Sequence, residues 1–257
     1  MFLEDEAGED VKMCMGGREC LESTFGNGRR CLFNFGFYIS GMSMRLYKFL
    51  LSIDRDEQKK IKLVISDERI DTDIKRILEV KKIAYLEIIL CEIPENTRRQ
   101  KCRVFSDYML SMLKDHQIDY VFSFGSNLLL GELLRQYEYH LINFHPSVLP
   151  MYPGKNAIDQ AVAHGNTFLL GNTAHFIDEG ADTGKIIMQS VIPVHAFLES
   201  GYDIVLDMQI EMLKKLIFLL ENDRVQIVDD RVKIAGADYH HGMIFPLVEG
   251  DKSEVHL

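Results

Sequence analysis

The chain has 257 residues, 47% hydrophobic and 26% charged, a composition that suits one large α/β domain with short appendages. Its formal charge of −10 argues against a surface that coats nucleic acid, which needs clustered lysine and arginine, although an acidic chain can still hold an anion in a local pocket. The five cysteines (Cys14, Cys20, Cys31, Cys91, Cys102) form no CxxC pair, no run approaches the ~18 apolar residues of a membrane span, and the start is acidic, so the chain is read as cytoplasmic, without a disulfide framework, zinc knuckle or membrane anchor.

Residues 1–29 are Gly-rich, with neither helical nor strand periodicity, and are expected to form an irregular leader. A metal site built from Cys14, Cys20 and Cys31 would lack the close paired spacing such sites use. Regular structure is predicted from Cys31: a buried strand over 31–39, a turn at Ser40-Gly41, a helix over 44–53, a strand over 62–66, an amphipathic helix over 71–81 and a strand over 83–90. A helix over 97–116, a strand over 119–124, a helix over 129–137 and a strand over 140–144 follow. Strands alternating with helices in this rhythm indicate right-handed βαβ units, hence a Rossmann-like open, mainly parallel sheet with helices on both faces.

Beyond Pro146 the rhythm changes. A loop punctuated by Pro146, Pro150, Pro153 and Gly154 leads to a helix over 157–164, two longer strands over 172–178 and 185–194, a long helix over 202–220, and a hairpin of 225–228 with 232–234 about Asp229-Asp230. The domain is thus placed at 30–235, followed by a polar tail over 236–257.

Ligands of open parallel sheets lie beyond the carboxyl ends of the strands. Asn143 and His145 fall at such an end, two residues apart and so on one face, and Pro146 stops the strand so that His145 is expected at a rim. An amide donor, an imidazole and a carboxylate such as Asp182 are the groups that acyl transfer to an amine requires. Taken alone, Asp182 reads as a turn residue, since Gly180, Thr183 and Gly184 surround it.

The runs LINFHPSVLPMYPG (141–154) and GNTAHFIDEGADTG (171–184) resemble the folate-dependent formyltransferase family, strongly over 119–194 and more weakly over 31–234. The resemblance implies that family's fold, 10-formyltetrahydrofolate as formyl donor with no metal, and a small-molecule amine as acceptor. It carries the catalytic Asn, His and Asp onto Asn143, His145 and Asp182, and a second histidine onto His175. In those roles Asn143 donates to the formyl oxygen, His145 is the acid/base, and Asp182 holds the imidazole charge or a proton-shuttling water. The folate groove falls on Gly125, the backbone of Leu128, Leu129 and Leu130, and a loop with Ile177, Glu179 and Gly180; Asp178 and Glu179 are also read as loop-solvating carboxylates.

The acceptor end is less complete. Where the family's purine branch has a Gly-Ser-Asn phosphate cradle, this chain has Ser43, Met44 and Arg45, so a flexible glycine is lost and a cation gained. Arg45 is open to two readings, an anion clamp or a solvated helix residue; Glu211 falls where that branch holds a ribose, or is an exposed helix carboxylate. The resemblance therefore implies glycinamide ribonucleotide first and a nucleotide-linked amino sugar second. The tRNA-acting branch is disfavoured by charge and by the missing second domain, and a formyltetrahydrofolate hydrolase by the lack of room for a regulatory domain. From another class, a folate-binding paralogue without catalysis remains the contrast.

Overall fold

A computed structural model describes residues 20–22, 29–243, 245 and 254–256; the remaining parts of the expected leader and tail, Cys14 included, lie outside the described residues. In chain order the elements are β1 (Cys20–Glu22), β2 (Arg29–Cys31), β3 (Phe35–Ile39), α1 (Met44–Ser52), α2 (Arg55–Lys60), β4 (Ile61–Ser66), α3 (Thr72–Lys81), β5 (Ala84–Glu87), α4 (Arg98–Asp115), β6 (Tyr120–Phe124), α5 (Glu132–Gln136), β7 (Leu141–His145), α6 (Ala157–Ala163), β8 (Leu169–Phe176), β9 (Ile186–Pro193), α7 (Val194–Ser200), α8 (Tyr202–Glu221), β10 (Val225–Val228), β11 (Arg231–Ile234), β12 (His241–Met243) and β13 (Glu254–His256).

Seven strands form one sheet in the order β5-β4-β3-β6-β7-β8-β9. The pairs from β5 to β7 are parallel, and β8 and β9 are added antiparallel. The parallel strands are apolar on both faces, as helices on either side require. On one face Phe35, Phe37, Phe122, Phe124, Ile142 and Phe144 pack with α1, α3 and α8 through Leu46, Phe49, Ile74, Leu78, Leu213 and Leu216. On the other, Tyr38, Leu63, Ile65, Val121 and Leu141 pack with Phe105, Met109, Leu113 and Leu133 of α4 and α5.

Several predicted elements differ in extent, each for a local reason. The strand expected over 31–39 is broken, because Asn34 turns to Asp119 and Gln117 (2.7 and 2.9 Å) and β2 pairs with β1. The leader therefore contains a strand at 20–22, and the tail contains β12, paired antiparallel with β13. The strand expected over 83–90 stops at Glu87 and turns into a short 3-10 segment at Leu90–Glu92. Neither α2 nor α7 was anticipated: both bury no side chain and so show no apolar period, and α2 is held by the capping box of Asp54 and Glu57. The hairpin turn at Asp229-Asp230 is as expected, both residues having positive φ (50° and 62°).

The largest difference concerns α5, which covers 132–136 in place of 129–137. Leu130 N–H donates to Ser106 Oγ (2.9 Å), which holds the backbone of Leu129 and Leu130 outside a helix, and Gly131 at φ 79° supplies the turn. The α4/α5 face of the sheet is consequently left uncovered at the carboxyl ends of β6 and β7.

Phe122 is fully buried and its ring lies 5.5 Å from both Phe35 and Phe37. Phe122→Ala should cost ~3–5 kcal/mol of unfolding free energy, read from urea midpoints at an unchanged m-value.

Candidate active site

Register sets the site. Ser123 of β6 pairs with Asn143 of β7, and Asn143 pairs with His175 of β8, so the three form a row across the uncovered face. His145 lies two residues further along β7 on the same side. The expectation of an exposed rim is corrected here: His145 is 4% exposed, because the loop after Pro146 folds back over it. Ser147 Oγ donates to the Met151 carbonyl (2.5 Å), and the Tyr152 carbonyl lies 2.8 Å from His145 Nε2.

The loop between β8 and β9 brings in the carboxylate. Asp178 staples this loop, accepting from Gly180 N–H (3.0 Å) and Thr183 Oγ1 (2.6 Å), and Phe176 N–H donates to Lys185 O (2.9 Å) at its base. Gly184 is required by closeness, since a Cβ there would lie 1.7 Å from Phe176 O. Asp182 adopts φ 58°, a left-handed conformation that Asp tolerates better than most residues, and this turns its carboxylate inward. Asp182 is thus both the turn residue its neighbours suggest and a member of the site.

Its two oxygens are divided between partners. Oδ2 accepts from Gly154 N–H (2.7 Å) and lies 3.4 Å from His145 Nδ1; Oδ1 lies 3.5 Å from His175 Nε2 and 3.4 Å from Asn143 Nδ2. Burial works against ionisation of Asp182, but the hydrogen bonds from His175 and Gly154 and the nearby imidazole charges outweigh it, holding the carboxyl below its ordinary value. His175 Nδ1 faces the carbonyl of Phe176 (2.9 Å) and so carries a proton. In the neutral ring Nε2 then accepts from Asn143 Nδ2 (3.2 Å); in the charged ring it donates toward Asp182.

Above this row lies a cavity of about 800 Å³, lined by Asn143, His145, His175 and Asp182, the backbone of 125–130, Ile177, Gly180, and the arginines 45, 98 and 99. Its size and its apolar wall with backbone donors and acceptors match a drug-sized heterocycle. Gly125 lies so close to Tyr38 that a Cβ would meet the ring at 2.2 Å.

Of the predicted site residues, Asn143, His145, Asp182, His175, Gly125, Leu128, Leu129, Leu130, Ile177, Gly180 and Arg45 come together here. Three do not. Glu179 is exposed outside the lining. Ser43 is buried as the N-cap of α1, its hydroxyl accepting from Leu46 N–H. Glu211 points to solvent, 71% exposed, in an ion pair with Lys214 (3.3 Å). Arg98, Arg99 and Cys102 line the cavity unannounced; only the capping signal of Thr97 and Gln100, which starts α4 at Arg98, could have placed the two arginines at a strand-end rim.

Arg45 resolves to neither reading alone. Its guanidinium donates to the carbonyls of Phe144 (3.0 Å) and Phe124 (3.4 Å) and stacks over the Phe124 ring at 4.8 Å. Burial lowers its pKa to about 10, so it stays charged at neutral pH, and among the described residues it has no carboxylate partner. No group of three or more His, Cys, Asp and Glu placed to hold a metal occurs among the described residues, and no described helix is long and apolar enough to cross a membrane.

A sequence profile described as formyl transferase matches residues 34–206. The phosphoribosylglycinamide formyltransferase of Bacillus subtilis is 38% identical over 99 residues, which are 37% of this chain and 50% of that protein. The human trifunctional purine biosynthetic protein adenosine-3 is 37% identical over 101 residues, 38% of this chain and 10% of that protein. The chain thus spans at most half the length of these curated relatives. Among solved structures, glycinamide ribonucleotide transformylase 1 from Symbiobacterium toebii has a TM-score of 0.68 at 27% identity, over 82% of this chain and 99% of that one. A formyltetrahydrofolate deformylase from Pseudomonas syringae, at TM-score 0.64 and 23% identity over 79% and 66% of the chains, shares the fold.

The lowered pKa of Asp182 means that its charged form stabilises the fold above the unfolded value of about 3.9, and that this is lost as pH falls through the lower folded value. Asp182→Asn, which keeps the left-handed tolerance, should therefore be less stable than the parent at pH 7. The gap should close below about pH 4, as thermal melts across pH will read.

Proposed function

Because the chain belongs to the formyl transferase family, we propose that it is an N-formyltransferase, moving the formyl group of 10-formyltetrahydrofolate to the amine of a small acceptor, glycinamide ribonucleotide foremost. The observation that carries this reading is the convergence of the Asn143 amide, the His145 imidazole and the Asp182 carboxylate on the uncovered end of β7, at the wall of a cavity large enough for a folate. Support for the acceptor comes from the activities for which these relatives are named. The catalytic unit is placed at residues 30–235 and the location in the cytoplasm, in keeping with the free thiols of Cys91 and Cys102.

Leu128 to Leu130 and Ile177 form the apolar wall for the pterin, and backbone groups of 125–130 and 177–180 are its polar partners. Arg98 and Arg99, at the start of α4, face the anionic glutamate end. The donor supplies an electrophilic formyl carbon; the chain supplies the groups around it. Of the two Nδ2 hydrogens of Asn143, one goes to His175 Nε2 (3.2 Å) and the other makes only a long contact to Asp182 (3.4 Å); this second hydrogen is the one it turns to the formyl oxygen. Its hydrogen bond strengthens as that oxygen gains charge in the tetrahedral state.

His145 gives its Nε2–H to the Tyr152 carbonyl, which leaves Nδ1 as the basic nitrogen of the neutral ring. A proton taken from the attacking amine is held at Nδ1 against Asp182 and passed to the leaving nitrogen. His175 orients Asn143 through Nε2. Arg45, a half-buried cation that among the described residues meets only carbonyls and the Phe124 ring, gains most from an anion entering the cavity, and the acceptor phosphate is that anion.

Three measurements test the reading. Asn143→Ala should lower kcat by ~10²–10³. Purified protein given 10-formyltetrahydrofolate should release tetrahydrofolate with glycinamide ribonucleotide; release only with a nucleotide-linked amino sugar moves the acceptor, and folate binding without turnover on any amine overturns the enzyme reading. Arg45→Met should raise KM for the phosphorylated acceptor about tenfold or more, the scale of a lost charge-assisted hydrogen bond, while leaving KM for the donor unchanged.

A further inference from the structure

We propose that Asp67, a buried carboxylate behind the cavity wall, is a positioning residue: it fixes the amide of Asn127 so that Asn127 holds Arg98 toward the donor's anionic end. This rests on the donor reading above. Asp67 follows β4 directly and is 0% exposed. Its Oδ2 accepts from Asn127 Nδ2 (2.6 Å) and from the Tyr38 hydroxyl (2.5 Å). Asn127 Oδ1 in turn accepts from Arg98 Nε (2.9 Å) and from Arg98 Nη2. Asn127 and Arg98 line the cavity, whereas Asp67 does not.

The argument is one of donor and acceptor polarity. An asparagine amide can face Arg98 with its oxygen or with its NH₂, and against a guanidinium, which only donates, the second orientation sets donor against donor. The choice is made at the other end of the amide. An acidic oxygen that only accepts must meet the NH₂, so the carbonyl is turned to Arg98. Tyr38 cannot disturb this, since burial and then the charge of Asp67 push its pKa well above the ordinary value, and the phenol remains a donor. The backbone of Asp67 is itself clamped, its carbonyl accepting from Leu90 N–H (2.8 Å) and its N–H donating to Ile39 O (3.3 Å). An exposed arginine with many rotamers is thereby tied to the rigid ends of β3 and β4, which reduces the ordering cost of binding an anion. The same relay braces the wall of the groove, with Gly125 against the Tyr38 ring and Ser126 N–H donating to Ser40 Oγ (2.8 Å).

Calorimetric titration with tetrahydrofolate and with its glutamate-free counterpart, tetrahydropteroate, tests the relay in the parent, Asp67→Ala, Asp67→Asn, Arg98→Gln and the Asp67→Ala/Arg98→Gln pair. Asp67→Ala should weaken tetrahydrofolate binding about fivefold, the scale of an exposed ion pair, and leave tetrahydropteroate unchanged. It should add nothing in the Arg98→Gln background, since residues acting through one another are not additive. Asp67→Asn should rescue, because its oxygen can take the place of Oδ2 while its NH₂ occupies the Oδ1 side, where Asp67 makes no hydrogen bond among the described residues. Equal weakening for both ligands, or additive effects in the pair, overturns the relay and leaves a merely structural carboxylate. If Asp67→Ala does not fold, Asn127→Ser in the same cycle breaks the relay without emptying the buried position, and the same outcomes apply. Parent protein that binds both ligands while Arg98→Gln changes neither overturns the relay and leaves the donor reading standing. Parent protein that binds neither ligand removes both.

Discussion

The Asp182 carboxylate is shared by three segments of the chain: the end of β7 through His145 and Asn143, the loop after β7 through Gly154 N–H, and β8 through His175. The Gly154 hydrogen bond is of ordinary length (2.7 Å) and the other three contacts are long (3.4–3.5 Å), yet together they leave the carboxylate little freedom. Its left-handed backbone, the staple of Asp178 and the close pass of Gly184 over Phe176 all serve to aim it. The lowered pKa keeps this carboxylate charged between the two imidazoles and the Asn143 amide.

That carboxylate needs an open face to act on, and the packing provides one. Two helical layers cover a sheet whose parallel strands are apolar on both sides, but α5 is too short to cover the ends of β6 and β7. A single side-chain hydrogen bond, Leu130 N–H to Ser106 Oγ, diverts the chain before the helix begins. The same residues that would have been core leucines of a longer helix become the wall of the cavity. Apolar burial and site formation are thus settled by the same few residues.

The charge distribution follows a similar logic. A chain of net charge −10 gathers three arginines around one cavity, one half-buried against strand-end carbonyls and two at the start of α4. Local potential and not net charge governs what enters a cleft. Arg45 donates to the strand-end carbonyls of Phe124 and Phe144, while Arg98 and Arg99 line the same cavity from the start of α4.

Read from the chain alone, the alternation of strands and helices, the placement of Asn143 and His145 on one face, and the loop carrying Asp182 were legible, because periodicity and strand-end chemistry are local properties. The resemblance extended this to His175, Gly125 and Leu128 to Leu130, all of which line the cavity. Ser43, Glu179 and Glu211 were not separable from residues that line the cavity, since capping, loop solvation and helix exposure depend on where the neighbouring elements go. Arg98 and Arg99 went unpredicted because only the capping signal of Thr97 and Gln100 marks them, and it fixes a helix start without saying which cavity that start adjoins. The burial of His145, the truncation of α5 and the tie from Asp67 through Asn127 to Arg98 were decided by tertiary structure alone. Each depends on which hydrogen-bonding partner the fold delivers to a group, and no local pattern of residues encodes that.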